Sequence, residues 1–335
     1  MNYEVTVLLP VYNAATHLNE AIDSILNQTL KNFELLIIDD GSTDSSLEII
    51  RSYSDPRIRL VVNEENLGIS ETLNKGLQLS RTELVARMDA DDFSYPERLE
   101  KQVEFFSQHT DSVMLSTSVR IITPQKELVE IINFNNYYNC YNLNFICAQF
   151  HPTIMYKRSV ILDIGGYTVP FSEDFDLWWR LMIANYKIDH LQQVLLDYRL
   201  SEKSLSTVLR KPEYDASARE LFLRNIHFYT GPQFKLSFAE MECLRHYYDP
   251  LLELKSVNAI VTCLKKLAFI NGKIFEKQNV NYEAADLVPF VQMKREYILY
   301  YYYVKLPKIK AVLLLLRTHT IAQVFGRINK SLSKR

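Results

Sequence analysis

Three acidic stretches in the chain could do chemistry. Asp89-Ala90-Asp91-Asp92 sets two carboxylates two residues apart, a pattern that suits a hard divalent cation, which takes oxygen ligands and keeps positions open for phosphate. The same residues would also serve as a solvated turn before a helix, with Asp92 or Ser94 as N-cap ahead of Pro96. Asp39-Asp40-Gly41-Ser42-Thr43-Asp44 offers a carboxylate able to accept from a nucleobase ring N–H, with the Tyr12 ring available to stack on the base. Helix capping by Asp44 and Ser45 is compatible with that role. Ser172-Glu173-Asp174 reads either as an ordinary capped helix start or as the source of a general base. No G-x-G-x-x-G follows the first apolar run and no G-x-x-x-x-G-K-[ST] occurs. A nucleotide held here would have its phosphates neutralised by metal rather than by a glycine loop.

The elements that must position these residues follow from the apolar pattern. Residues 5–9 form a β-rich run halted by Pro10; runs at 33–38, 58–62 and 84–88 end at Asp39, Asn63 and Asp89. Between them Leu18, Ile22, Ile25 and Leu26, then Leu47 and Ile50, then Leu73, Leu77 and Leu79 fall at helical spacing. Strand alternating with helix predicts an α/β fold with a mostly parallel central sheet flanked by helices. Tyr12-Asn13, Asp39-Asp40, Asn66 and Asp89/Asp91 then lie just past strand carboxyl ends, the edge where such sheets bind ligands. Residues 113–119, 128–132 and 150–156 read as further strands, Gly165-Gly166-Tyr167 as a turn, and Ser172 as the opening of a helix. From Ser206 the pattern is helical, so the expected domains are 1–205 and a helical region 206–335.

Composition bounds the partners. With 335 residues, 47% hydrophobic and 23% charged, disorder and low-complexity scaffolds are excluded. A net charge of −2 argues against nucleic-acid binding. The charge is unevenly placed, however: residues 291–335 contain ten basic residues and one acid, Glu296. Cys140, Cys147, Cys243 and Cys263 form no C-x-x-C and read as free thiols. The first residues lack a signal-peptide pattern, and the longest strongly apolar stretch, 311–316, is far short of the ~20 residues that span a bilayer. A cytoplasmic location is expected.

The order of motifs is more specific than any one of them. Leu8-Leu9-Pro10-Val11-Tyr12-Asn13, Ser24-Ile25-Leu26-Asn27-Gln28-Thr29, Phe33-Glu34-Leu35 leading to Asp39-Asp40-Gly41-Ser42-Thr43-Asp44, Glu65-Asn66-Leu67-Gly68 and Met88-Asp89-Ala90-Asp91-Asp92 closely resemble the family 2 glycosyltransferases, which have the GT-A fold. The resemblance covers roughly residues 3–205. It implies an inverting enzyme that uses a nucleotide-diphosphate sugar, usually a UDP-sugar, with Mn²⁺ or Mg²⁺. By matching position Pro10, Tyr12 and Asp40 would line the base pocket, with Asn13 and Asn66 beside it. Asp89 would face the ribose or metal, and Asp91 would be the direct metal ligand.

The family supplies its base from a Glu-Asp pair, matched here by Glu173-Asp174. Inversion needs such a carboxylate on the side of the sugar opposite the leaving phosphate. The family commonly carries a histidine after a Tyr-Arg pair; here Tyr198-Arg199 is followed by Leu200 and then Ser201 in its place. That leaves the metal to Asp91, diphosphate and water, or gives Arg199 and Lys203 more of the leaving-group charge. His151 is a further polar candidate, with a structural strand-end role as its alternative. Adjacent Trp178 and Trp179 point about 100° apart, so one is expected in the core and the other is a candidate floor for the acceptor site.

In the tail, Tyr297 and Tyr300 to Tyr303 precede Lys305, Lys308 and Lys310, and Ile309, Val312, Leu313 and Leu316 recur at helical spacing. This suits peripheral contact with an anionic membrane, or a helix docked on the acidic body. The acceptor expected from family habit is a glycan or lipid-linked glycan at the inner face of the membrane. A catalytically inactive sugar-nucleotide-binding protein and a peripheral membrane module are the alternatives.

Overall fold

Val5-Thr6-Val7-Leu8-Leu9-Pro10-Val11 forms β1 (Val5–Val11), buried along its whole length as a strand covered on both faces must be. In chain order it is followed by α1 (Leu18–Leu26), β2 (Phe33–Asp39), α2 (Ser46–Ser52), β3 (Ile58–Val62), α3 (Ile69–Leu79), β4 (Leu84–Arg87) and β5 (Phe93–Ser94). Then come α4 (Arg98–Gln108), β6 (Ser112–Ile122), β7 (Leu128–Ile132), α5 (Asn136–Asn142), β8 (Met155–Lys157), α6 (Arg158–Asp163), α7 (Glu173–Ile183) and β9 (Lys187–Arg199). Among the described residues six helices follow: α8 (Lys211–Thr230), α9 (Phe238–Leu244), α10 (Asp249–Glu253), α11 (Val257–Phe275), α12 (Ala284–Lys305) and α13 (Lys308–Thr318). These elements come from a computed structural model that describes residues 3–201 and 208–318. Lys203, Arg327, Lys330, Lys334 and Arg335 lie outside the described residues.

The first compact unit, Met1–Leu143 with Cys147–Ala218, holds the sheet, in the order β3-β2-β1-β4-β8-β6-β9-β5, with β7 paired to β6. The expected parallel part is β3-β2-β1-β4. Beyond it the sheet is mixed, since β8 runs antiparallel to both β4 and β6, while β6 and β9 are parallel. Helices flank the sheet, and Leu18, Ile22 and Ile25 of α1 join Val5, Val7, Leu9, Leu35 and Ile37 in one core.

Two expectations change. Residues 150–156 are not one strand: a 3-10 turn at His151–Thr153 precedes the short β8, because Pro152 supplies no N–H to a ladder and fixes φ for a turn. The thirteen-residue β9 was not visible as a strand. Its sequence mixes charged and apolar residues without alternation, and its pairing with β6 shifts register three times. Gly165 and Gly166 form the expected turn, both at positive φ.

The second unit, Asn144–Ile146 with Arg219–Arg335, is helical in its described part. The division between the two compact units lies within α8, after Ala218. A capping box closes the start of α9, where Ser237 N donates to Glu240 Oε2 (2.7 Å) and Glu240 N to Ser237 Oγ (3.3 Å). Tyr302 is buried and donates its hydroxyl to the Tyr248 carbonyl (2.9 Å). No described helix is long and apolar enough to cross a membrane.

Candidate active site

Strand register puts the first cluster together. Val11 of β1 is level with Asp39 of β2, and Asp39 with Val62 of β3. The ladder runs on into the loops, with Asp40 N donating to Val11 O and Asn63 N to Asp39 O, each at 2.8 Å. Pro10 is buried in β1, whereas Tyr12, just past it, exposes its ring. Asn13, at φ 50, acts as a clamp: its Oδ1 accepts from Thr43 N (2.8 Å), Thr43 Oγ1 (3.2 Å) and Asp44 N (3.3 Å). Asp44 Oδ1 accepts from Ser46 N (2.9 Å) at the start of α2, whereas Ser45, at the N-cap position, makes no side-chain cap.

Asp40 is buried and organises the neighbouring loop. Its Oδ1 accepts from Asn63 Nδ2 (2.7 Å) and Leu67 N (3.0 Å), and its Oδ2 from Gly68 N (3.0 Å). A carboxylate has about four lone-pair directions, so one acceptor position remains. Asp39 beside it has a buried Oδ1 with no partner. Gly41 lets the two loops touch, since a Cβ there would meet Glu65 C at 2.8 Å and Asn66 N at 3.0 Å. Asn66 itself is exposed.

The second cluster is the turn after β4, where burial and charge collide. Arg87 is buried and donates to the Met88 carbonyl and, at 2.5 Å, to Asp89 Oδ1. Burial opposes its charge, but Asp89, Tyr167 and Glu173 together more than offset that, and its pKa rises. Asp91 is pushed up to about 6 by burial and by the Asp89 charge. Asp92 is raised further, by burial and by both neighbouring aspartates, and its Oδ2 has no partner. Neither Asp92 nor Ser94 caps α4; Ser94 instead lies in β5, paired with Leu196 of β9.

Arg199 braces this turn. Its backbone N–H donates to Asp92 Oδ1 (2.9 Å), and its guanidinium to Asp91 O (2.8 Å), Pro124 O (3.0 Å) and Glu20 Oε2 (2.7 Å). Gln28 explains the Ser24–Thr29 motif, donating to Tyr95 O (2.7 Å) and Ser94 Oγ (3.2 Å) and accepting from Leu99 N (3.0 Å). It thereby fixes the segment that follows the aspartates.

The third cluster sits at the start of α7. Ser172 precedes it in the left-handed region (φ 55) and makes no side-chain cap; its hydroxyl donates instead to Tyr214 O (3.2 Å). A non-glycine residue held there costs ~1–3 kcal/mol, which the surrounding packing sustains. Glu173 is buried and pushed up to about 7 by that burial, with Oε1 3.5 Å from His151 Nδ1 and Oε2 without a partner. His151 Nε2 lies 2.9 Å from the Tyr167 hydroxyl, and burial lowers this imidazole to about 4, so it is neutral. Asp174 is half-buried and raised to about 6 by burial and by Glu173. Its Oδ1 accepts from Phe175 N (2.7 Å), and the Cys147 thiol donates to its Oδ2 (3.5 Å).

Trp178 and Trp179 are both buried, contrary to the expectation of one exposed ring. That expectation presumed a helix covered on a single side; α7 buries Phe175, Leu177, Trp178, Trp179, Leu181 and Met182 around its circumference.

The second and third clusters share one electrostatic field. Glu173 and His151 both feel Asp89 and Arg87, and the Tyr198 phenol is raised by burial and by Asp92, Asp89, Asp91 and Asp174 together. Sequence reasoning passed over Arg87, Cys147 and Tyr167. Arg87 had a signal, since it ends a strand two residues before Asp89.

The aspartate turn fits a hard divalent cation. The Asp89 charge raises the Asp91 carboxyl, a like-charge conflict that such a cation relieves, and Mg²⁺ or Mn²⁺ completes its shell with water and substrate phosphate. Among the described residues no three His, Cys, Asp or Glu side chains converge as a ligand set, so a cation here would rest on Asp89, Asp91 and the donor's phosphate oxygens.

Comparison with known proteins agrees with the geometry. The profile of glycosyl transferase family 2 matches residues 6–167. The Escherichia coli O-antigen biosynthesis glycosyltransferase WbnJ is 36% identical over 207 residues, covering 60% of this chain and 81% of that protein. The putative glycosyltransferase EpsE of Bacillus subtilis is 32% identical over 218 residues, covering 60% and 74%. Staphylococcus aureus TarS 1–349 in complex with UDP-GlcNAc shares the fold with TM-score 0.58 at 18% identity, over 88% of this chain and 90% of TarS 1–349. The Pyrobaculum calidifontis mannosyltransferase PcManGT, in complex with GDP-Man and Mn²⁺, shares it with TM-score 0.53 at 16% identity, over 98% and 88%. A glycosyltransferase-type sheet edge carrying these aspartates, together with a relative matched over most of its length, places the chain in glycosyltransferase family 2.

Proposed function

We propose that the chain moves a sugar from a nucleoside-diphosphate sugar, a UDP-sugar in the first instance, to a hydroxyl of a glycan or lipid-linked glycan with inversion at the anomeric carbon. The observation that carries this reading is Asp174: a half-buried carboxylate with a pKa near 6, facing the same electrostatic field as the Asp89–Asp92 turn. Inversion by direct displacement needs a base on one side of the sugar and charge stabilisation on the other, and two separate chain segments supply them here.

In this reading the exposed Tyr12 ring stacks on the base, while Pro10 and Asp40, with Asn13 and Asn66 shaping the loops, form the rest of its pocket. Asp89 and Asp91 would hold a divalent cation, and a bound cation would offset the charge that builds on the leaving phosphate. Arg199 keeps the turn in place, and its guanidinium reaches the diphosphate only through that positioning. Asp174 takes the acceptor hydroxyl proton. Glu173, about half protonated at pH 7, puts less than a full second negative charge beside it. The UDP-sugar and GDP-mannose complexes of the structural neighbours and the O-antigen name of the E. coli relative support donor and acceptor class.

The test is UDP release from UDP-sugars with Mn²⁺ and acceptor. Asp174→Asn should lower turnover by ~10²–10⁴-fold while UDP affinity stays near wild type; retained turnover would remove Asp174 as base. Donor binding by the wild-type chain without any turnover would favour the inactive-binder alternative.

A further inference from the structure

Helix α13 is apolar on two opposite sides, and its packing uses one of them. At about 100° per residue, Ala311, Leu314, Leu315 and Thr318 share one side. The first three are buried, and α13 packs against α11 and α12 of the same unit. Ile309, Val312, Leu313 and Leu316 recur at i, i+3, i+4 and i+7 on the opposite side and are 85%, 54%, 38% and 53% exposed. The outer face of a helix docked this way is ordinarily polar. Four contiguous aliphatic side chains there mark an interaction surface.

The charge around the stripe has one sign. Lys308 borders it on one edge, Lys310 and Arg317 on the other, each about a quarter-turn from its centre. The acceptors that Lys310 and Arg317 find are neutral: the Lys255 carbonyl (2.8 Å) and Asn258 Oδ1. The sequence contains no Asp or Glu between Tyr297 and Arg335. On α12, Tyr297, Tyr300 and Val304 are exposed at i, i+3 and i+7, and tyrosine is a side chain that settles at a lipid headgroup boundary.

We propose that the outward face of α13 docks on the surface of an anionic phospholipid bilayer. The aliphatic stripe enters the headgroup–acyl boundary, and Lys308, Lys310 and Arg317 lie at the level of the lipid phosphates. Charge complementarity selects this occupant. A second copy of the chain would bring the same positive borders face to face, and a purely apolar protein groove gives no reason for cations on both edges. The proposal stands independently of the transfer reaction.

The full chain is sedimented with vesicles of phosphatidylglycerol mixed with phosphatidylcholine, and of phosphatidylcholine alone. The wild type should pellet with the mixed vesicles and much less with the neutral ones. The double variant Val312→Asp/Leu316→Asp should lose at least about tenfold in partition, and Lys308→Glu about fivefold or more. Both should keep the wild-type thermal midpoint, because the substituted side chains are exposed. No vesicle binding by the wild type, equal binding to neutral vesicles, or undiminished binding by the double variant would each overturn the proposal. So would a dimer abolished by the double variant in a chain that ignores vesicles, which would assign the face to a second copy.

Discussion

A carboxylate is a stronger base near neutrality when its surroundings raise its pKa, and the start of α7 does this twice. In the proposed reading Asp174, at about 6, must be ionised to act, so kcat at saturating metal and donor should fall about tenfold per pH unit below pH 6 and level off above it. A flat profile across that range would exclude Asp174 as the titrating base. Glu173 is the more buried of the pair, and its pKa of about 7 exceeds the ordinary 4.5 of the unfolded chain. The native state therefore binds this proton more tightly. Below the ordinary value both states are protonated and the group is neutral in its effect; between about 4.5 and 7 the unfolded chain releases a proton that the folded one keeps, so rising pH destabilises the fold, by up to about 3 kcal/mol once pH passes about 7. Glu173→Gln removes that penalty. Urea unfolding should show the variant gaining on the wild type between pH 5 and pH 7.5, and a gap that does not change with pH would contradict the protonation argued here.

Among the elements, the loops past β1, β2 and β3 are held by backbone and side-chain bonds to one another rather than by a core. Asn13 ties the first to the second, and Asp40 ties the second to the third. Gly41 is the contact point, at φ 72 with no room for a methyl group against Glu65 and Asn66. Gly41→Ala should cost about 1–3 kcal/mol in denaturant unfolding and weaken UDP binding, because the loop around Asp40 must move. Unaltered stability would mean that the loops can separate freely. The sequence displayed β1 to β4 plainly, since each is an apolar run ended by a polar cluster. It concealed β9 and the turn at 151–153, where strand residues are half-exposed and Pro152 breaks the ladder. It also could not show that Ser24 and Gln28 act as fasteners of the segment after Asp92, because that depends on β5 lying beside α1.

For the whole molecule, the proposed reading makes the charge on the sheet edge set when a donor binds. Asp91 must lose its proton before it can hold a cation, and its pKa lies at about 6. Mn²⁺-dependent UDP affinity should therefore be about tenfold weaker at pH 5 than at pH 7.5, and Asp91→Ala should remove both the metal effect and its pH dependence. Calorimetric titration at the two pH values decides this, and a metal effect that survives in Asp91→Ala would place the cation elsewhere.

Residue types and their order along the chain determined the class of fold, the edge that carries the site, the acidic residues at that edge and the family. Those depend on local periodicity and on short motifs, and both are properties of neighbouring residues. Only the tertiary structure decided that Arg199 braces the aspartate turn, that both tryptophans are core, that Cys147 and His151 back the Glu173–Asp174 pair, and which side of α13 faces outward. Each of those rests on contacts between residues far apart in the chain, and on burial, which shifts a pKa or covers a ring only when distant segments close around it.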